Sequence, residues 1–170
     1  RGEDSPTLFS LLDTCQTGMG SRLLKTWMLE PSRDRSDANA RLQAIGVLRG
    51  DGNALSAAPW QVLRTDLKGV SDVERITARI ALRQVRPREL VALGLTLQKS
   101  ELLSRNRQAP AALLNQIFAG LEPPQDAMAL LLRAIHPEPG ALVRDGGVIA
   151  NGFDAELDEL RGIQTNCDAF

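Results

Sequence analysis

The sequence predicts a mainly α-helical protein, a multi-helix domain with a small β-hairpin near its C-terminal end. Three observations lead there. Apolar residues recur three and four positions apart along most of the chain, the period of a helix with one buried face. Prolines stand where periodic runs begin or stop rather than inside them. One stretch alone, Ala141-Leu-Val-Arg, Asp145-Gly-Gly, Val148-Ile-Ala, reads as two short strands around a tight turn.

Each element has its own local reason. Thr7 to Cys15 places Leu8, Leu11 and Leu12 at helical spacing, with Thr7 as N-cap. Gly18 and Gly20 interrupt the pattern and are read as a turn. A second helix, Ser21 to Leu29, puts Leu23, Leu24, Trp27 and Met28 on a broad apolar face, and Pro31 ends it. The third runs from about Asp34 to Leu48 with Leu42, Ile45 and Leu48 facing inward. A loop at Gly50-Asp51-Gly52-Asn53 leads to a shorter helix around Leu55 to Leu67, with Trp60 and Leu63 as core residues.

Ser71-Asp-Val-Glu74 has the form of a capping box, and Val73, Ile76 and Ile80 follow at helical spacing. Arg75, Arg79 and Arg83 are four apart and are expected to form one basic stripe, continued by Arg86 and Arg88. Pro87 separates this helix from the next, which Leu90, Leu93, Leu97 and Leu102 would line. Pro110 and Pro124 suit the first turns of helices spanning Pro110 to Ala119 and Pro124 to Ile135. After His136-Pro-Glu-Pro-Gly140 come the expected hairpin and a second turn at Asn151-Gly152. Asp154 would cap a last helix, whose early Glu156, Asp158 and Glu159 suit the positive end of the helix dipole.

Composition narrows the function classes. The 170 residues suffice for one domain with a real core. Lys plus Arg is 20 against 21 Asp plus Glu, a net charge of -1 that does not suit a dedicated nucleic-acid module. Aromatics are 4% with no Tyr, so stacking platforms for bases or sugars are poorly supplied. Only Lys25, Lys68 and Lys99 are lysines; the other 17 basic residues are Arg, which suits fixed ion pairs. Cys15 and Cys167 fit neither a disulfide framework nor a metal site, which points to a reduced, cytoplasmic setting. No apolar run reaches the roughly 18 residues of a membrane span. Arg1-Gly-Glu-Asp-Ser-Pro6 has no apolar h-region and no Met, and is read as the start of a segment of a longer protein.

Catalytic chemistry is not indicated, and no catalytic, cofactor-binding or metal-binding residue is assigned. No Gly-x-x-x-x-Gly-Lys-Ser/Thr string is present to surround a nucleotide's phosphates. Gly18-Met-Gly20-Ser-Arg22 is the nearest glycine-rich loop; it could hold an anion at a helix start, but its plainer reading is close helix packing. His136, the one histidine, reads as a helix C-terminal residue. Asp154, Glu156, Asp158 and Glu159 read as helix-start charges rather than metal ligands. Cys15 reads as a small core residue. For Arg75, Arg79 and Arg83 two readings stand: contact with DNA or RNA phosphates, or a face paired with acidic neighbours or packed on another part of a larger protein.

Three blocks, in order, resemble the core (lever) domain of the bacterial MutS family of DNA mismatch-recognition proteins. The first is Thr7-Leu-Phe-Ser-Leu-Leu-Asp-Thr-Cys-Gln-Thr-Gly-Met-Gly-Ser-Arg-Leu-Leu-Lys-Thr-Trp27. The second is Asp72-Val-Glu-Arg-Ile-Thr-Ala-Arg79 with Arg86-Pro-Arg-Glu-Leu90. The third is Val143-Arg-Asp-Gly-Gly-Val-Ile-Ala150 with Gly152 and Glu156-Leu-Asp-Glu-Leu-Arg161.

The resemblance implies one core-domain segment over 1-170, mostly helical, that joins an ATPase to a DNA clamp and transmits state between them. It implies that 154-170 begins a lever helix toward a clamp domain that this sequence does not reach. The parent would be a homodimer acting in mismatch repair and the DNA damage response, binding mismatched duplex, ATP with magnesium, and MutL. This segment itself would be no enzyme and hold no cofactor. The family's Phe-x-Glu mismatch wedge is lacking, since none of Phe9, Phe118, Phe153 or Phe170 has Glu two places on. The matched positions Gly18, Gly20, Arg75, Arg79, Pro87, Arg144, Asp145, Gly146 and Gly147 would be architectural, serving turns and interior charge pairing. The alternative to this whole reading is a free-standing helical protein-interaction adaptor.

Overall fold

The computed structural model describes residues 6–50, 58–105 and 109–168, with side chains described as far as 163 in the last helix. The helices are α1 (Leu8–Leu12), α2 (Gly18–Leu29), α3 (Arg35–Arg49), α4 (Pro59–Asp66), α5 (Val73–Ala81), α6 (Pro87–Arg105), α7 (Ala112–Gly120), α8 (Gln125–Ala134) and α9 (Ala155–Asp168). The chain packs as two compact units. The first holds the described residues of Arg1–Glu74 and Gln98–Pro123; the second holds those of Arg75–Leu97 and Pro124–Phe170.

Local capping sets several helix starts. Thr7 accepts from the Ser10 amide at 3.1 Å, and Ser10 Oγ accepts from the Thr7 amide at 2.9 Å, a reciprocal pair that caps α1. Thr17 accepts from the Gly20 amide at 3.1 Å, so Gly18 and Gly20 lie inside the first turn of α2 rather than in a turn before it. Asp34 accepts from the Ser36 amide at 2.9 Å and caps α3. Pro59 opens α4 at a position whose amide would have no helical partner. Asp154 accepts from the Leu157 amide at 3.1 Å and caps α9. The residues expected to start the fourth helix near Leu55, and loop residues 51–53, lie outside the described residues, as does the Cys167 side chain.

In the first unit the core gathers Ala44 of α3, Ala111, and Leu114 and Phe118 of α7, with Val47, Leu48 and Leu63 against it. The buried strip of α3 is therefore Ala44, Val47 and Leu48. Leu42 and Ile45, expected inside, are 64% and 51% exposed. Trp60 is likewise surface-facing at 43%. Cys15 is exposed rather than a core residue, because α1 stops at Leu12 and Cys15 lies beyond its apolar face. In the second unit Ile76, Leu93, Met128 and Ala134 are buried, and Gly94 lets α6 approach α8: a Cβ there would stand 3.3 Å from Leu131 and Leu132. Leu102, expected to line α6, is exposed, and Leu103 is buried in its place.

The β-hairpin does not form, and the described residues contain no strand. Val148–Ala150 pairs with the residues that close α8. The His136 amide donates to the Val148 carbonyl and the Ala150 amide to the Ala134 carbonyl, both at 2.8 Å, a lone antiparallel bridge centred on Ile135 and Ile149. The expected first strand is consumed by a 3-10 turn, Val143–Asp145, that Asp145 closes by accepting from the Leu142 amide at 3.0 Å. Gly146 has φ 73° and ψ -172°, which is not the left-handed helical ψ that a type I′ hairpin turn needs. The loop then doubles back so tightly that a Cβ on Gly140 would stand 2.6 Å from the Gly146 carbonyl.

Candidate functional site

Two clusters in the second unit carry most of the charged chemistry. The first is the turn between α5 and α6. The α5 helix ends at Ala81, and Arg83 takes φ 55°, the left-handed region that favours glycine. The Gln84 amide donates to the Arg79 carbonyl at 2.8 Å and the Arg83 amide to the Ile80 carbonyl at 2.9 Å, the paired bonds of a Schellman closure. Arg83 thus lies beyond the helix, so Arg75, Arg79 and Arg83 do not form one helical stripe. The Arg79 guanidinium pairs with Glu89, which also accepts from the Arg86 amide at 2.9 Å. Glu89 therefore bridges the end of α5 and the start of α6, while buried Pro87 opens α6.

The second cluster is the root of α9. Arg161 donates to the Asn151 side chain at 3.0 Å, to the Ile149 carbonyl at 3.1 Å and, at 3.4 Å, to Asp158. Asp158 in turn accepts from the Gly152 amide at 2.7 Å. Gly152 has φ 80°, so the turn that feeds α9 needs glycine. One guanidinium and one carboxylate thereby fix the helix to the 149–152 turn. These carboxylates act as caps and tethers, and no metal-ligand grouping occurs among the described residues.

The first unit holds one further cluster. Arg22 donates to both oxygens of Asp72, at 2.7 and 2.8 Å, and to Glu74 at 2.5 Å. These two carboxylates hold the Arg22 guanidinium more firmly protonated than usual. A Cβ on Gly20 would press Thr17 Oγ1 at 3.2 Å, so Gly20 serves close approach, whereas one on Gly18 would make an ordinary contact with Asp72 at 3.4 Å. With Arg22 engaged by acids and the Gly20 amide by Thr17, the start of α2 is already satisfied. Nearby, Asp13 accepts from the Ser21 hydroxyl at 3.0 Å and from the Cys15 amide at 3.2 Å, which lowers its pKa. Partial desolvation and the neighbouring Asp13 push the Cys15 thiol up, away from the reactive thiolate.

The structure thus separates the residues singled out from sequence. Gly18 and Gly20 sit by the Arg22 cluster, Arg79 and Pro87 by the α5–α6 turn, and Arg144 to Gly147 in the 3-10 loop. Arg144 is 83% exposed and lies on the surface; among the described residues its ion-pair partner is Asp145, at 3.8 Å. Gly146 and Gly147 take φ 73° and 65°. His136 sits past the helix end, its Nδ1 accepting from the Glu138 amide at 3.1 Å. Sequence reasoning missed Arg22, Glu89, Asn151 and the tethering role of Arg161. Only Asp158 and Arg161, three apart on one helix, left a local trace.

Residues 1–169 match the family model of MutS domain III. The chain belongs to the MutS domain III family. Membership covers essentially the whole sequence and makes this chain a core-domain segment of the mismatch-repair MutS type. Among the described residues, no helix of this MutS domain III chain is long and apolar enough to cross a membrane.

Proposed function

We propose that this chain is the structural and allosteric transmission segment of a MutS mismatch-recognition protein, linking its ATPase and DNA-clamp parts. The observation that carries this is the root of α9. Arg161, Asp158, Asn151 and the Gly152 amide fasten the start of α9 to the 149–152 turn. That turn is bridged to Ala134–His136, and α8 rests on α6 at Gly94. A tilt of α9 must therefore strain directed hydrogen bonds or move α8 with it. A helix fixed this way acts as a lever: force applied far along it arrives at its base rather than being lost in a soft joint.

In this reading residues 154–170 start the lever toward the clamp, and the chain 1-170 is one core domain. ATP and magnesium belong to the ATPase domain of the parent, which is cytoplasmic, homodimeric, and binds mismatched duplex and MutL. Gly18, Gly20, Arg75, Arg79, Pro87, Asp145, Gly146 and Gly147 serve architecture, and Arg144 stands on the surface of its loop. The alternative, a free-standing interaction adaptor, draws on the exposed Leu8, Leu11 and Leu29; the same apolar faces suit neighbouring domains of one MutS chain.

The test is R161A in the full MutS chain. Mismatch affinity and ATP hydrolysis, measured separately, are expected to persist, while ATP-triggered release from the mismatch slows. Unchanged release in R161A would overturn the lever reading.

A further inference from the structure

The segment from Arg75 to Arg88 carries Arg75, Arg79, Arg83, Arg86 and Arg88 and no acidic residue, in a chain whose net charge is -1. Arg79 is held by Glu89. Among the described residues, the exposed guanidinium groups of Arg83, Arg86 and Arg88 have no hydrogen-bond or ion-pair partner. Two apolar side chains stand among them: Ile80 is 40% and Leu82 66% exposed.

The turn that displays these residues is built, not loose. Schellman bonds close α5, Glu89 ties Arg79 to the Arg86 amide, and Pro87 fixes the entry to α6. Arg83 occupies the left-handed position that closes the helix, where glycine would be unstrained. We propose that the knob Ile80–Arg88 docks on another domain of the same MutS chain, at an apolar recess rimmed by carboxylates. The inference rests on the chain being a segment of a multidomain MutS protein.

Two observations choose protein over nucleic acid. Phosphate binding needs charge alone, whereas Leu82 and Ile80 projecting between arginines suit an apolar recess. The segment has no aromatic residue to stack on a base. Its basic residues are all Arg, whose planar fork pairs bidentately with a carboxylate, as it would with a phosphate, so the choice between them rests on the apolar side chains and the missing aromatic. A partner within the same chain needs no free-standing affinity, because its effective concentration is high.

The experiment places p-benzoylphenylalanine at Leu82 of the full MutS chain and maps the photocrosslink by mass spectrometry. The expected product is intramolecular, on an Asp- or Glu-rich peptide of another domain. Its yield falls several-fold at high salt and in the variant R83G/R86Q/R88Q. R83G removes the charge while suiting the left-handed backbone, so loss of folding does not confound the result. A crosslink to DNA, to a second copy or another protein, to a peptide without carboxylates, or no crosslink at all would overturn the proposal. The release assay of R161A is independent, so failure of this docking leaves the lever reading separately testable.

Discussion

The two units are held together differently. The first is fastened chiefly by apolar contact: Ala44, Ala111, Leu114 and Phe118 meet, and Val47, Leu48 and Leu63 close around them, with the Arg22 tie to Asp72 and Glu74 beside that core. The second has buried apolar residues too, but its two ends are set by directed polar ties, Arg79–Glu89 at one and Arg161–Asp158–Asn151 at the other. Apolar contact is non-directional and tolerates small rotations of a helix. A guanidinium with several fixed acceptors does not, because tilting it breaks bonds. Stability in this chain therefore resides chiefly in the first kind of contact, and the aim of its helices in the second.

The comparison breaks first, and hardest, at Phe118. Phe118→Ala leaves a void at the α3–α7 contact and is expected to cost about 3 to 4 kcal/mol. Urea denaturation of the chain measures it. A cost under about 1 kcal/mol would show that the first unit does not depend on this core.

Gly94→Val asks whether the second unit has an apolar contact as demanding. Its Cβ would already press Leu131 and Leu132 at 3.3 Å, and two further methyl groups must displace them. The expected cost is about 2 kcal/mol by the same melt. A neutral result would mean that α6 and α8 can slide apart freely, and the polar ties alone would then hold α8.

Arg161→Ala tests the ties. It is expected to cost about 1.5 kcal/mol locally, so amides at Gly152 and the first turn of α9 exchange roughly tenfold faster. Exchange elsewhere in α3 and α7 stays as it was. Uniform acceleration across both units would erase the distinction between aiming and stabilising contacts.

What the sequence disclosed follows the range of the interactions concerned. The caps at Thr7, Asp34 and Asp154 were legible because a capping bond spans two or three residues. The Arg22–Asp72 tie spans 50 residues and leaves no local pattern. Apolarity placed Leu42 and Ile45 inward, but which strip of α3 is covered depends on where α7 and α4 lie, and they cover Ala44, Val47 and Leu48. The arginine stripe assumed that α5 persists to Arg83, whereas a left-handed residue ends it. The hairpin failed for a related reason: Asp145-Gly-Gly has turn chemistry, but the partner of Val148–Ala150 lies upstream at Ala134–His136.

Arg83→Gly refines the second unit in the opposite direction. Relief of the left-handed backbone is worth about 1 to 2 kcal/mol, against up to about 1 kcal/mol of added chain entropy in the unfolded state. A net gain of about 0.5 kcal/mol is expected, with an unchanged fold by circular dichroism. A net loss would mean that the Arg83 side chain itself holds the turn.

The smallest effect is a pH dependence in the first unit, and it tests whether the α3 cap adds an ionic contribution there. Asp34 accepts from the Ser36 amide and hydroxyl, at 2.9 and 2.7 Å, and these bonds hold its carboxyl below the ordinary value of 3.8. A depressed folded pKa contributes stability that is present above the unfolded value and is lost as pH falls through the folded one. Stability should therefore decline as pH drops below about 3.8. Asp34→Asn caps α3 without titrating, so its decline across that window should be shallower than that of the parent chain. Asp13 titrates with the same sign in both proteins, and only the difference between the two melting curves reports on Asp34. Identical curves would mean that the α3 cap makes no ionic contribution to the first unit.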